Sequence, residues 1–66
     1  MVIVVNGERR EVPAGLTARA LLDEEGTPAS HVLVEINGVH VPLRRGEDRV
    51  LEDGDRVEII LPAAGG

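Results

Sequence analysis

A chain of 66 residues with no Phe, Trp, Tyr or Cys has to build its interior from aliphatic side chains alone. Chains this short sit near the lower limit for folding on a single core without a disulfide or structural metal. Lacking cysteine, the chain can form no disulfide and no Cys-ligated metal site. Hydrophobic residues make up 42% of the sequence, which suffices for one small domain only if Val, Leu and Ile are placed by strict alternation.

That alternation is visible. Val2-Ile3-Val4-Val5 is a β-branched run ending in Asn6-Gly7, a strong hairpin signal. The returning strand is expected over Arg9 to Pro13, with Arg10 and Val12 on one face, and Pro13, lacking an N–H donor, suits the end of an edge strand. A helix is expected from Ala18 to Glu25. Thr17 is its N-cap, Leu16 and Leu21 form a hydrophobic staple, Ala18, Leu21 and Leu22 are its apolar face, and Gly26 is its left-handed stop. Asp23, Glu24 and Glu25 occupy the last turn, where the helix dipole disfavours negative charge. Val32 to Asn37 alternates, with Val32, Val34 and Ile36 inward and Leu33 and Glu35 outward. Asn37-Gly38 turns the chain into a short edge strand, Val39 to Leu43. Gly46 to Leu51 is a polar connector anchored by Val50 and Leu51, and Asp53-Gly54-Asp55 is a tight turn. The last strand, Arg56 to Leu61, has Val57, Ile59 and Leu61 inward, with Glu58 and Ile60 outward.

The order β-β-α-β-β-β, with one apolar helix stripe to cover one sheet face, predicts a two-layer α+β domain spanning residues 1–66. A single mixed sheet of four to five strands packs against one helix in the β-grasp, ubiquitin-like arrangement, with the first and last strands adjacent at its centre. Pro62 to Gly66 forms a flexible tail.

Twelve carboxylates against seven basic residues leave a net charge of −5. Nucleic-acid binding needs clustered positive charge and, for single strands, aromatic stacking platforms, so that class is excluded. The surplus suits solubility or steering toward a basic partner. No segment approaches the ~20 apolar residues of a membrane span, and Met1 to Val5 fits a strand better than a signal peptide, so a cytoplasmic protein is expected. All seven basic residues are Arg; with no Lys, the chain cannot link copies of itself through lysine.

Catalysis within the domain is poorly provided for. Ser30 stands beside His31 with no evident orienting carboxylate. His31 and His40 could meet across neighbouring strands, but two histidines are weak evidence for a metal. A calcium loop centred on Gly54 would place Arg49, Leu51 and Ile60 at oxygen-ligand positions, which excludes it. No catalytic residue, metal or bound cofactor is expected.

The C-terminal segment differs. Pro62-Ala63-Ala64-Gly65-Gly66 follows a strand directly. Five residues beyond Leu61, fully extended, reach about 16–18 Å, and small side chains let such a thread enter a narrow slot. Glycine accepts whatever backbone angles the slot imposes. An α-carboxylate at Gly66, with a pKa near ~3.5, is ionised and inert at neutral pH until activation makes it an electrophile.

On these residues the chain resembles the ThiS family, the sulfur carriers of thiamin thiazole synthesis. The likeness runs through Asn6-Gly7, Leu16-Thr17, Leu21-Leu22, Val34-Glu35-Ile36-Asn37-Gly38 and Val41-Pro42. It continues through Leu51, Asp53-Gly54-Asp55 and Val57-Glu58-Ile59-Ile60 to Gly65-Gly66. The resemblance implies adenylation of Gly66 by a ThiF-like enzyme using ATP, sulfur from a cysteine desulfurase or related source, and delivery as a thiocarboxylate to a ThiG-like thiazole synthase. Gly65, Ala64 and Ala63 form the tail. Outward Val4, Leu33 and Ile60, flanked by Glu35 and Glu58, are the candidate partner face. A MoaD-like carrier serving molybdopterin or tRNA thiolation is the nearest alternative, although MoaD-like chains carry an aromatic stretch that this chain lacks. A noncovalent ubiquitin-like binding module using the sheet face alone is the alternative from a different class.

Overall fold

The computed structural model describes residues 1–44 and 46–62. Both Asn-Gly pairs make the turns their chemistry favours. Asn6 and Gly7 adopt φ of 49° and 85°, and Asn37 and Gly38 adopt 54° and 81°, the double left-handed conformation that matches strand twist in a two-residue hairpin. The first joins β1 (Val2–Val5) to β2 (Glu8–Glu11), and the second joins β3 (Leu33–Ile36) to β4 (Val39–His40).

Between the hairpins lies α1 (Ala18–Glu25). The Thr17 hydroxyl accepts from the Ala20 N–H at 3.2 Å, an N-cap contributing about 1 kcal/mol. Gly26, at φ 69°, closes the helix, its N–H donating to the carbonyls of Leu22 and Asp23. Pro28 precedes a 3-10 turn at Ala29–His31, and β5 (Arg56–Ile60) follows a long connector.

The five strands form one sheet in the order β2-β1-β5-β3-β4. β1 and β5 are parallel, with Val5 level with Val57, and the other neighbours are antiparallel. This is a mixed sheet of the β-grasp type, and β5 occupies its centre beside β1. One face presents Ile3, Val5, Val34, Ile36 and Val57 to Leu21 and Leu22 of α1, with Leu16, Val12 and Leu51 closing the ends. Each fully buried side chain of this size contributes about 1.5–3 kcal/mol.

Several boundaries differ from the sequence expectation. Val32 lies just before β3, although its side chain still packs on the core. β2 starts at Glu8 and ends at Glu11 rather than running from Arg9 to Pro13, while Val12 N–H still donates to the Met1 carbonyl at 2.9 Å. β4 is two residues long. Val41 N–H reaches the Val34 carbonyl at 2.9 Å, and Pro42 then has no donor with which to continue. Leu61, expected inward, is 70% exposed. β5 ends at Ile60, so strand alternation points Leu61 beyond the part of the face that α1 covers.

Val50, expected as an anchor, is exposed as well. Its contribution comes from the backbone, through a bridge to Thr17. Leu51 is the buried anchor, and its N–H donates to the Leu16 carbonyl at 2.9 Å. The acidic last turn of α1 gains a structural reason at Glu25, which pairs with Arg10 on β2. The expected tail, apart from Pro62, lies outside the described residues.

Candidate functional site

Whatever follows Ile60 is launched from the central strand of the sheet. β5 is hydrogen-bonded on both sides, to β1 and to β3. Two asparagine side chains brace its backbone further: Asn37 Oδ1 accepts from Arg56 N–H at 2.9 Å, and Asn6 Oδ1 accepts from Ile59 N–H at 2.8 Å. Asn37 is itself oriented by Asp55, whose carboxylate accepts from Asn37 Nδ2 at 3.0 Å and from Glu52 N–H at 2.8 Å. Asp55 is buried, and three polar groups thus satisfy one another at the entry to β5.

Sequence reasoning missed this bracing. Asn6 and Asn37 are legible only as turn residues and Asp55 only as part of a turn, since nothing local shows that the asparagine side chains reach β5 or that Asp55 orients Asn37.

The face of the sheet opposite α1 carries the five residues expected there. Leu33 on β3 stands directly opposite Ile60 on β5, and Glu35 directly opposite Glu58. Val4 on β1 is level with Arg56. Leu33 is 46% and Ile60 38% exposed; Glu58 is exposed, while Val4 and Glu35 are half-buried. Directly opposed side chains have Cβ atoms about 4.5–5.5 Å apart, and like charges so placed destabilise a sheet. His40 on β4 lies on the far side of Glu35. The structure therefore places Val4, Leu33, Glu35, Glu58 and Ile60 on one face, with Leu33 and Ile60 at the end of β5 from which the tail departs and Val4 at its start.

On the opposite side of the tail root, a groove of about 330 Å³ runs between the first hairpin and the end of α1. Val5, Ile59 and Leu61 line it together with Arg10 and Glu25. Ser30 and His31 are exposed in the 3-10 turn. His31 does not meet His40, which faces Glu35 instead. Among the described residues, no group of three or more His, Asp or Glu is arranged to hold a metal ion, no buried side-chain polar atom lacks a hydrogen-bond partner, and no helix is long and apolar enough to cross a membrane. Ala63, Ala64, Gly65 and Gly66, the expected tail and its modified residue, lie outside the described residues.

The family model described as the ThiS family matches residues 3–66. The chain belongs to the ThiS family. A solved structure, the thiamine biosynthesis protein ThiS from Geobacter metallireducens, is 33% identical, superimposes with a TM-score of 0.81, and is matched over 100% of both chains. A thiazole synthase from Paramagnetospirillum magneticum is 39% identical over 66 residues. That match takes in all of the present ThiS-family chain but 20% of the relative, so the chain spans about a fifth of the length of that protein.

Proposed function

We propose that this chain is a sulfur carrier protein of thiamin thiazole synthesis, a co-substrate rather than an enzyme, working in the cytoplasm as a single carrier domain. The observation that carries the reading is the Gly65-Gly66 pair, included in the family match and set five and six residues beyond the central, doubly paired strand. The Gly66 carboxylate oxygen attacks the α-phosphorus of ATP on a ThiF-like enzyme, pyrophosphate leaves, and an acyl-adenylate forms. The terminal sulfur of a persulfide carried by a cysteine desulfurase or related donor then attacks the acyl carbon and AMP leaves with the bonding pair; a second cysteine thiolate attacks the donor's sulfur in the resulting acyl disulfide, forming a disulfide and releasing the thiocarboxylate. A ThiG-like thiazole synthase receives the sulfur. The name of the Paramagnetospirillum relative supports that partner, and the name of the Geobacter protein supports the pathway.

In this reading Gly65, Ala64 and Ala63 thread the partner's slot, and Val4, Leu33, Glu35, Glu58 and Ile60 form the surface against which the partner rests. Burial of the apolar Leu33–Ile60 pair supplies affinity. Partner cations opposite Glu35 and Glu58 supply register and relieve their mutual repulsion. The test is intact mass after incubation with a ThiF-like enzyme, ATP and a sulfur donor. A gain equal to the sulfur-for-oxygen difference, lost on removal of Gly65 and Gly66, is the expected result; its absence with every adenylating partner tried sinks the proposal.

The exposed Leu33–Ile60 pair also favours a second reading, a noncovalent binding module. Such a module keeps its activity without Gly65 and Gly66 and loses it on Ile60→Glu. A MoaD-like carrier gives the same mass change but passes sulfur to a pterin or tRNA acceptor instead of thiazole synthase.

A further inference from the structure

We propose that Asn6 is a site of spontaneous modification, where the Gly7 nitrogen expels the side-chain amide and the isoaspartate so formed releases Ile59 near the end of β5. The site is independent of the carrier reading, and its chemistry needs no partner beyond water. The Gly7 amide nitrogen gives up its proton to hydroxide and forms a bond to Asn6 Cγ. The Cγ–Nδ2 bond breaks, and ammonia leaves after taking a proton from water. Water then opens the five-membered imide. Addition at Cγ gives aspartate. Addition at the main-chain carbonyl gives isoaspartate, which puts one extra carbon into the backbone.

Glycine, having no Cβ, obstructs this attack least, and the chain has two such pairs, Asn6-Gly7 and Asn37-Gly38. Both asparagines are exposed, and both hold the left-handed turn conformation, with φ of 49° and 54°. The first central residue of a mirror-image type I turn has ψ near about 30°. That angle carries the glycine nitrogen to the far side of the Cα–C bond from the asparagine side chain, so ring closure waits for the turn to open. Opening costs the two backbones alike. Each breaks one closing pair, Val5–Glu8 or Ile36–Val39. Each asparagine N–H donates to β5, Asn6 to the Val57 carbonyl at 2.9 Å and Asn37 to the Arg56 carbonyl at 2.8 Å. Each Oδ1 accepts from a β5 N–H.

The side-chain nitrogens differ. Asn37 Nδ2 donates to the Asp55 carboxylate at 3.0 Å in a partly buried setting. Among the described residues Asn6 Nδ2 has no such acceptor, and its side chain is held by the exposed contact with Ile59. The departing nitrogen is thus tied down at Asn37 and untied at Asn6. The consequence of reaction at Asn6 falls on β5. β1 ends at Val5, level with Val57, so Ile59 stands beyond the last paired level, and Asn6 Oδ1 takes the place of the ladder acceptor. The extra backbone carbon of isoaspartate moves its carboxylate out of that position.

The test incubates the full wild-type chain in warm, mildly alkaline buffer and maps the products by peptide mass spectrometry, with a protein isoaspartate methyltransferase reporting the isomer. In the folded protein Asn6 should convert about tenfold faster than Asn37, the effect of one more hydrogen bond to a charged group. In denaturing urea the two rates should draw level, since glycine follows both asparagines. Faster conversion of Asn37 in the folded protein, or an unchanged ratio in urea, would overturn the proposal. The protein carrying isoaspartate at position 6 is then isolated by ion exchange. Its Ile59 N–H should exchange with solvent severalfold faster than in wild type, while Ile36 and Val57 keep their protection. Asn6→Asp adds the same charge without the extra backbone carbon and should leave Ile59 protected. Unchanged exchange at Ile59 in the isoaspartate form, or equal loss of protection in Asn6→Asp, would overturn the link to β5.

Discussion

Glu35 and Glu58 face each other directly across β3 and β5, on the side of the sheet away from α1. A cross-strand pair of like charge works against the free protein, while an opposite-charge pair at such a site contributes about 0.2–1 kcal/mol. Glu35→Arg should therefore stabilise the isolated protein by an amount within that range, read as a higher urea midpoint at unchanged m. The same variant should weaken association with the adenylating partner, measured by titration calorimetry. Unchanged affinity would remove Glu35 from the partner surface.

Asp55 is the buried polar residue at the entry to β5. Asp55→Ala leaves Glu52 N–H and Asn37 Nδ2 without their acceptor. An orphaned buried polar group costs about 1–3 kcal/mol, so a loss of about 2–3 kcal/mol is expected in denaturant unfolding. Hydrogen exchange should quicken first at Arg56, whose N–H is held by the Asn37 side chain.

Asp48 tethers the connector to α1. Desolvation favours its neutral form, but the N–H groups of Arg19 and Arg49, the Thr17 hydroxyl and the Arg19 charge outweigh it and hold the carboxyl below the ordinary 3.8. A carboxylate depressed in the folded state stabilises the protein above its unfolded pKa. That stabilisation is lost as pH falls through the folded value. Asp48→Asn should thus lower stability at neutral pH and flatten the decline of stability below about pH 4. Thermal melts across that range check the slope. A variant with the wild-type acid slope would contradict the assignment.

Leu61 and Ile36 separate surface from core. Leu61→Ser, at a 70% exposed position, should change stability by less than about 0.5 kcal/mol. Ile36→Val, in the sealed core, should cost about 0.5–1.5 kcal/mol. Chemical denaturation of both variants measures the contrast.

The β-grasp order was readable because its signals are local and agree with one another. Asn6-Gly7 and Asn37-Gly38 dictate hairpins, Thr17 and Gly26 bound the helix, and Ile3, Val34, Ile36 and Val57 alternate as core positions must. The open-face residues followed from the same period-two rule. What failed was the rule's reach at strand ends: Leu61 keeps the inward phase, yet β5 has already ended. Val50 misled because an apolar residue beside a buried one looks like an anchor, whereas the chain there pairs through its backbone. The contacts of Asn6 and Asn37 to β5, and of Asp55 to Asn37, bring together residues 18 to 53 positions apart, and no short window on the sequence contains both partners.

The insertion of β5 between β1 and β3 also governs assembly on the ribosome. β1 and β3 have no direct pairing and stay separate until residues 56–60 have emerged, because chain growth delivers the central strand after the four that surround it. Contacts of such long sequence separation form late and slowly. A nascent chain halted before Arg56 is two hairpins around an unfinished interior. The strand that directly precedes the tail is therefore also the keystone whose arrival joins the two hairpins.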